Sequence, residues 1–290
     1  MQGIKDSVQD KNKSVSLNTG TSAMTMPIQK NVTIFDTNEG KKNFLNDGPI
    51  LAKVIIGAEA AGLAAHKGVT LFNKSSDNQV KKINEAIDEV FYKRTNLSKK
   101  GCKLINLTSM DAPELKKTPK ILRFMDLRRD VVKGKNAGFA QDCNIIYTNR
   151  EKMALSTFHE MGHAYNFNNV KALKTIHKAR PYLMLATIAA TCLPLFIKKT
   201  SPKDGQELTT GEKIKNGIHS ASPLISGACF LPIVIEEGIA SIRASQLAKP
   251  LLEKGVYRKM CGLNACGFST YLASFLLLMS LAQFNKLIND

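Results

Sequence analysis

Three long apolar runs dominate the second half of the chain. They cover residues 182–197, 218–235 and 261–284, and none contains Asp, Glu, Lys or Arg. A helix needs about 20 mostly apolar residues to cross a bilayer, so the last run is the strongest candidate for a membrane helix. The two shorter runs would need flanking residues or a thinner bilayer. The alternative is that all three are buried helices of a soluble, all-helical domain.

The first part of the chain has a different character. Residues 1–45 are polar, rich in Lys, Asn, Ser, Thr and Gly, and lack periodicity, which predicts a disordered tail. The segment 46–66 contains an apolar run, residues 49–65, that includes Lys53 and Glu59. It predicts either a first membrane helix or a helix buried against the others, and the pattern does not choose between these two.

The middle of the chain predicts a mixed helical and strand region. Apolar residues recur at helical spacing over residues 77–97, which indicates an amphipathic helix. The run from Gly101 to Leu107 predicts a strand, and residues 134–148 predict a strand or hairpin that leads into the next helix. We assign residues 67–180 to one α+β part.

The most informative motif is His-Glu-Met-Gly-His at positions 159–163. On a helix, His159 and His163 share one face, so both imidazoles can bind one tetrahedral Zn²⁺. Glu160 can reach a water on that ion without binding the ion itself, and H-E-x-x-H is a signature of zinc metalloproteases. The alternative is a helix whose two histidines are solvated or satisfied within a core.

A catalytic zinc usually has three protein ligands, and Glu237 is the predicted third. Two acids at the end of an apolar run are costly to bury unless they are paired or bound to a metal. Glu237 heads a face of small residues, Ala240, Ser241 and Ala244, which would let this helix pack closely on the H-E-x-x-H helix. Ser241 would then hydrogen-bond a ligand histidine. Glu236 is expected to point elsewhere, unless both acids only mark the membrane–water boundary.

Other site residues are predicted on weaker grounds. His177 is a possible ligand but lies in a basic stretch without a supporting pattern. Arg243, His219 and Tyr165 are candidate donors to a transition-state oxyanion. The residues before the motif would line an edge strand that holds an extended peptide through main-chain hydrogen bonds, unless the segment is a plain connecting hairpin. These edge residues are Asn136, Ala137, Phe139 and Ala140.

Charge and cysteine content narrow the classes of partner. The net charge of +17 suits an anionic membrane surface, acidic substrates or nucleic acid. No basic block is interleaved with aromatic residues and Trp is absent, so no nucleic acid is expected. The six cysteines form no CxxC pair, and the first 45 residues contain no signal-peptide core, so we expect reduced thiols. The many basic residues of 67–180 favour a cytoplasmic catalytic part.

These motifs resemble those of membrane-bound gluzincin metallopeptidases. The resemblance is greatest to the bacterial neutral zinc metallopeptidases of the YugP type, and more distant to the prenyl-protease/HtpX group. It covers roughly residues 77–250. The resemblance implies His159, His163 and Glu237 as zinc ligands and Glu160 as the catalytic acid/base. It rests on Asn136-Ala137 through Ala140, His159 to Ala164, the apolar hairpin, and Glu237-Gly238-Ile239-Ala240-Ser241 followed by Arg243-Ala244.

The sequence therefore predicts a mainly α protein with a small β-sheet, an α+β zincin-like catalytic part and membrane helices. We expect a zinc-dependent, membrane-associated endopeptidase with one Zn²⁺ per chain, a peptide or protein substrate, and a multi-pass location in the cell membrane. The alternatives are an inactive membrane scaffold with a basic lipid-facing surface, and a soluble zincin peptidase. The predicted segments are the tail (1–45), the possible first helix (46–66), the catalytic part (67–180), an apolar helical hairpin (181–236), and the third-ligand helix with the C-terminal membrane helix (237–290).

Overall fold

The computed structural model describes residues 38–109, 127–202 and 206–289, which all belong to one unit. This part of the chain is mainly helical with one small sheet, as the sequence predicted. The helices are α1 (Asn38–Lys74), α2 (Val80–Asp88), α3 (Leu127–Val132), α4 (Ser156–Asn169), α5 (Lys171–Phe196), α6 (Thr210–Ala248) and α7 (Lys254–Asn289). The strands are β1 (Lys103–Asn106), β2 (Gly138–Ala140) and β3 (Ile145–Thr148).

Four of these helices, α1, α5, α6 and α7, are long and apolar enough to cross a membrane. Large apolar side chains on them face outward: Phe196 is 81% exposed, Leu224 70% and Leu276 51%. Exposed apolar surface on this scale marks contact with lipid or with another protein. The helices therefore indicate membrane association, and the segment around residues 46–66 belongs to the first of them.

The four long helices alternate in direction. A contact of 2.8 Å between the hydroxyls of Thr191 and Ser226 joins α5 to the antiparallel α6. The side-chain amide of Asn264 on α7 donates to the main-chain oxygen of Ser241 on α6, with a length of 3.2 Å. Helix α1 runs antiparallel along α7, where glycines of α1 lie against small side chains of α7. Helices α1 and α6 consequently run one way, and α5 and α7 run the other way.

The sheet has the strand order β1–β3–β2. Strand β1 pairs with β3 in parallel, and β2 pairs with β3 antiparallel, so among the described residues β2 forms an edge of the sheet. Buried Phe139 and Ile146 pack with Phe158 of α4 in one apolar core, which fixes the sheet against that helix. The predicted strand at 101–107 and the predicted hairpin at 134–148 are confirmed, although seven residues, 149–155, separate β3 from α4.

Several boundaries differ from those predicted. Helix α1 begins at Asn38, so residues 38–45 of the predicted tail form its first turns, and residues 1–37 lie outside the described ranges. Helix α6 continues without a break through the predicted boundary at 236/237. Helix α5 likewise crosses the boundary at 180/181. In both places the hydropathy changes, but no residue there ends the helix. The six cysteines are all free, as expected.

Helix α4 crosses α6 at very short range. A Cβ placed on Gly162 would collide with the main-chain oxygen of Ala240, and Ala240 and Ala244 are fully buried at the crossing. The small-residue face predicted for α6 is thus confirmed as the surface that packs on the H-E-x-x-H helix.

Replacing Gly162 with Ala should push the two helices apart. We expect Gly162→Ala to lower the free energy of unfolding by about 1–3 kcal/mol, as overpacking of a close contact does. Thermal unfolding of the detergent-solubilised protein measures this effect. The control is Gly217→Ala on α6, because a Cβ there meets nothing within 4 Å. Equal unfolding temperatures for the two variants would show that the crossing is not tightly packed.

Candidate metal centre

Helix α4 presents two imidazoles to one point. Phe158, Met161 and Ala164 are fully buried and anchor the helix in the core. This anchoring leaves His159 and His163, one turn apart, on the face that meets α6, with their Nε2 atoms 3.0 Å apart.

Helix α6 brings a carboxylate to the same point. Glu237 Oε2 lies 3.2 Å from His159 Nε2 and 3.4 Å from His163 Nε2. Ligand atoms about 2.0–2.1 Å from a tetrahedral ion lie about 3.3 Å from one another. The three atoms match that spacing, so the group could hold a metal ion. The structure thus brings the three predicted ligands together.

The other nitrogen of each imidazole faces a fixed polar group. His159 Nδ1 lies 3.3 Å from Ser241 Oγ, the contact predicted for Ser241. His163 Nδ1 lies 2.7 Å from Glu236 Oε1, which accepts a hydrogen bond from it. Such contacts set the tautomer and orientation of ligand histidines and direct each Nε2 toward the ion.

The prediction that Glu236 points elsewhere is wrong. Its carboxylate is 2% exposed and faces His163 on one side and His177 on the other, with His177 Nδ1 at 3.2 Å. Both Glu236 and Glu237 reach the site because α4 and α5 both pack on α6 near these two residues. His163, His177 and Glu236 form a second group that could hold an ion. His163 would have to use Nδ1 there, and that nitrogen already donates to Glu236.

Sequence reasoning also missed Arg180 on α5. One of its nitrogens, Nη2, donates to Glu237 Oε1 and, at 2.9 Å, to Tyr271 Oη. Its Nη1 lies 3.5 Å from Glu236 Oε2. The sequence does contain one indication of this role: Arg180 stands at the start of an apolar run, where a charge is costly unless it is paired.

A cavity of about 820 Å³ opens over the site. Glu160 and the three predicted ligands line one side, and the edge of β2 lines another. The cavity extends between the long helices, where Met184 of α5 and Tyr271 of α7 form part of its wall. All four predicted edge residues line it: Asn136, Ala137, Phe139 and Ala140.

The three predicted oxyanion donors lie elsewhere. The Arg243 guanidinium stacks on the Tyr165 ring at 4.8 Å, and neither residue is among those that line the cavity. His219 is fully buried in α6, 18 residues before Glu237, which is about 27 Å along the helix axis. These residues were predicted by chemical type, and their positions exclude direct contact with the cavity.

Comparison with protein-family models, with curated proteins and with solved structures found no match for this chain. The resemblance to membrane-bound gluzincins therefore rests on the quoted motifs and stays a prediction. The fold and the site define a broader class. The chain is a mainly helical, membrane-associated protein with a buried His–Glu group that could hold a metal ion.

The metal ion should depend on Glu237 rather than Glu236. We expect about one zinc per chain in the wild type and loss of the ion in Glu237→Gln. Glu236→Gln should retain the ion at saturation but bind it about 10–100-fold more weakly, because a residue that orients a ligand is lost. Elemental analysis and competition with a chelator measure both effects, with exposed Glu253→Gln as the control. Loss of zinc from Glu236→Gln alone would place the ion at the second group.

Metal binding should release a proton from His163. Burial lowers the pKa of His163, but the carboxylates of Glu237 and Glu236 outweigh burial and hold this pKa well above its usual range. The raised pKa favours the protonated imidazole when no metal is bound, and the ion must displace that proton. At pH values below the raised pKa of His163, the apparent zinc affinity should increase about tenfold for each unit by which the pH is raised. Calorimetry in buffers of different ionisation enthalpy counts the protons, and zero release at pH 7 would contradict this account.

Proposed function

We propose that this protein is a zinc-dependent, membrane-associated endopeptidase. The observation that carries the proposal is the convergence of His159 Nε2, His163 Nε2 and Glu237 Oε2 at distances of 3.0–3.4 Å. Glu160 lies beside them in a cavity that also borders an edge strand. Three ligands that leave a position for water are typical of catalytic rather than structural zinc.

The chemistry divides between the ion and the chain. Zinc held by these three residues would polarise a scissile carbonyl and make water more acidic. Glu160 takes a proton from the attacking water and later gives it to the leaving amine. Its side chain lines the cavity, next in sequence to a ligand histidine, and belongs to none of the groups that could hold the ion.

A peptide substrate would lie along β2. In the part of the chain that the structure describes, this strand is an edge of the sheet, so main-chain groups on its outer side could pair with an extended chain. Ala137 and Phe139 place this strand at the same cavity as His159 and Glu160. A chain added there would lie in the cavity that the proposed metal site also lines, which suits cleavage within a polypeptide.

Tyr271 replaces the earlier candidates as donor to the oxyanion. It lines the cavity and is fixed by its hydrogen bond from Arg180. A phenolic hydroxyl held in a cavity beside the metal site is placed to stabilise negative charge on a carbonyl oxygen.

The proposed site lies at one end of the apolar bundle. The uncharged run of α5 begins just after Arg180, and that of α6 ends just before Glu236. Within the Lys-rich residues 67–180, the described sheet and α4 lie at this end, which supports a cytoplasmic catalytic part under the positive-inside rule. The exposed apolar side chains of the long helices argue against a soluble peptidase.

Glu160→Gln should separate catalysis from metal binding. We expect peptide cleavage to fall by about 10²–10⁴-fold, the usual contribution of a general base, with zinc content unchanged. Mass spectrometry of a peptide library incubated with zinc-loaded, detergent-solubilised protein measures cleavage. The control is Glu151→Gln, which alters an exposed acid shortly before α4. A zinc-loaded wild type that cleaves no more peptide than Glu160→Gln would favour the membrane scaffold.

A further inference from the structure

The two carboxylate oxygens of Glu237 have different partners. Oε2 faces both histidines, at 3.2 Å from His159 Nε2 and 3.4 Å from His163 Nε2. Oε1 accepts a hydrogen bond from Arg180 Nη2. The guanidinium therefore binds the one oxygen that does not face the histidines.

Arg180 is itself held from two other helices. On α7, Tyr271 accepts a hydrogen bond of 2.9 Å, and its ring lies 5.3 Å from the guanidinium carbon. On α6, Glu236 Oε2 lies 3.5 Å from Arg180 Nη1. His177, one turn earlier on α5, approaches the other oxygen of Glu236. The stretch of α5 from His177 to Arg180 thus contacts both acids.

We propose that Arg180 is a positioning residue that restricts Glu237 to binding the metal through one oxygen. This inference rests on the proposed metal site. A carboxylate can bind an ion through one oxygen or two, and the second oxygen would fill a coordination position. With Oε1 held by Arg180, that position remains free for water and substrate, as a catalytic site requires.

The rival explanation is that Arg180 only neutralises two buried acids. Glu236 and Glu237 are 2% and 1% exposed, so they need positive charge nearby. The two explanations differ for Arg180→Lys. Lysine keeps the charge, but its ammonium is a flexible point charge without the planar fork of arginine. If Arg180 only neutralises charge, the lysine variant should keep the metal geometry and affinity of the wild type. If Arg180 positions Glu237, the lysine variant should lose both.

The test uses full-length, detergent-solubilised protein loaded with Co²⁺, whose visible absorption weakens as its coordination number increases. We expect the wild type to show the strong bands of a four-coordinate ion. Arg180→Lys should show weaker bands, because Glu237 gains a free second oxygen, and about 10-fold or more weaker binding in chelator competition. The matched control, exposed Lys178→Gln on the same helix, should match the wild type in both measurements.

A second variant covers the case in which Arg180→Lys fails to fold. Tyr271→Phe keeps the ring but removes the hydroxyl that fixes Arg180. The Co²⁺ absorption bands of this variant should therefore weaken, but by less than those of Arg180→Lys. A folded Arg180→Lys with wild-type bands and affinity would overturn the inference. If Arg180→Lys does not fold, wild-type bands in Tyr271→Phe would overturn it. A wild type that binds neither Co²⁺ nor Zn²⁺ would instead remove the proposed function.

Discussion

The arrangement of this protein depends on two adjacent carboxylates that are buried where the apolar run of α6 ends. Glu236 and Glu237 are almost fully buried, and isolated buried charges would be strongly destabilising. The side chains that satisfy them come from three other helices. His163 of α4 and Arg180 of α5 contact the carboxylates directly, and Tyr271 of α7 accepts a hydrogen bond from Arg180. Satisfying these two charges therefore requires α4, α5 and α7 to pack around α6 at the position of Glu236 and Glu237.

This requirement explains why the small sheet and the apolar bundle join where they do. Helix α4 can bring its histidines to α6 only because Gly162 allows the two backbones to approach. The same helix packs on β2 and β3 through Phe158, so the edge strand is carried to the same cavity. One crossing of two helices thus places the proposed metal ligands, the proposed general base and the proposed peptide-binding edge together.

Local patterns in the sequence predicted the part of the site that depends on one helix at a time. The i, i+4 spacing placed His159 and His163 on one face, and the small residues after Glu237 identified the face of α6 that packs on α4. Arg180 could not be found in this way. It is separated by 57 residues from Glu237 and by 91 from Tyr271, so its role depends on how helices are arranged around each other. The position of Glu236 could not be predicted because its carboxylate lies between His163 of α4 and His177 of α5, and the spacing of small residues on α6 identifies only one packing face.

We propose that the buried His–Glu group is a zinc site with two imidazole ligands and one carboxylate. X-ray absorption at the zinc edge of the purified, zinc-loaded protein tests it most directly, because imidazole and sulfur ligands give distinct scattering. We expect four nitrogen or oxygen ligands at about 2.0–2.1 Å, two of them imidazoles, and no sulfur. A sulfur ligand, a shell of six oxygens without imidazole, or a protein that binds no zinc would contradict it.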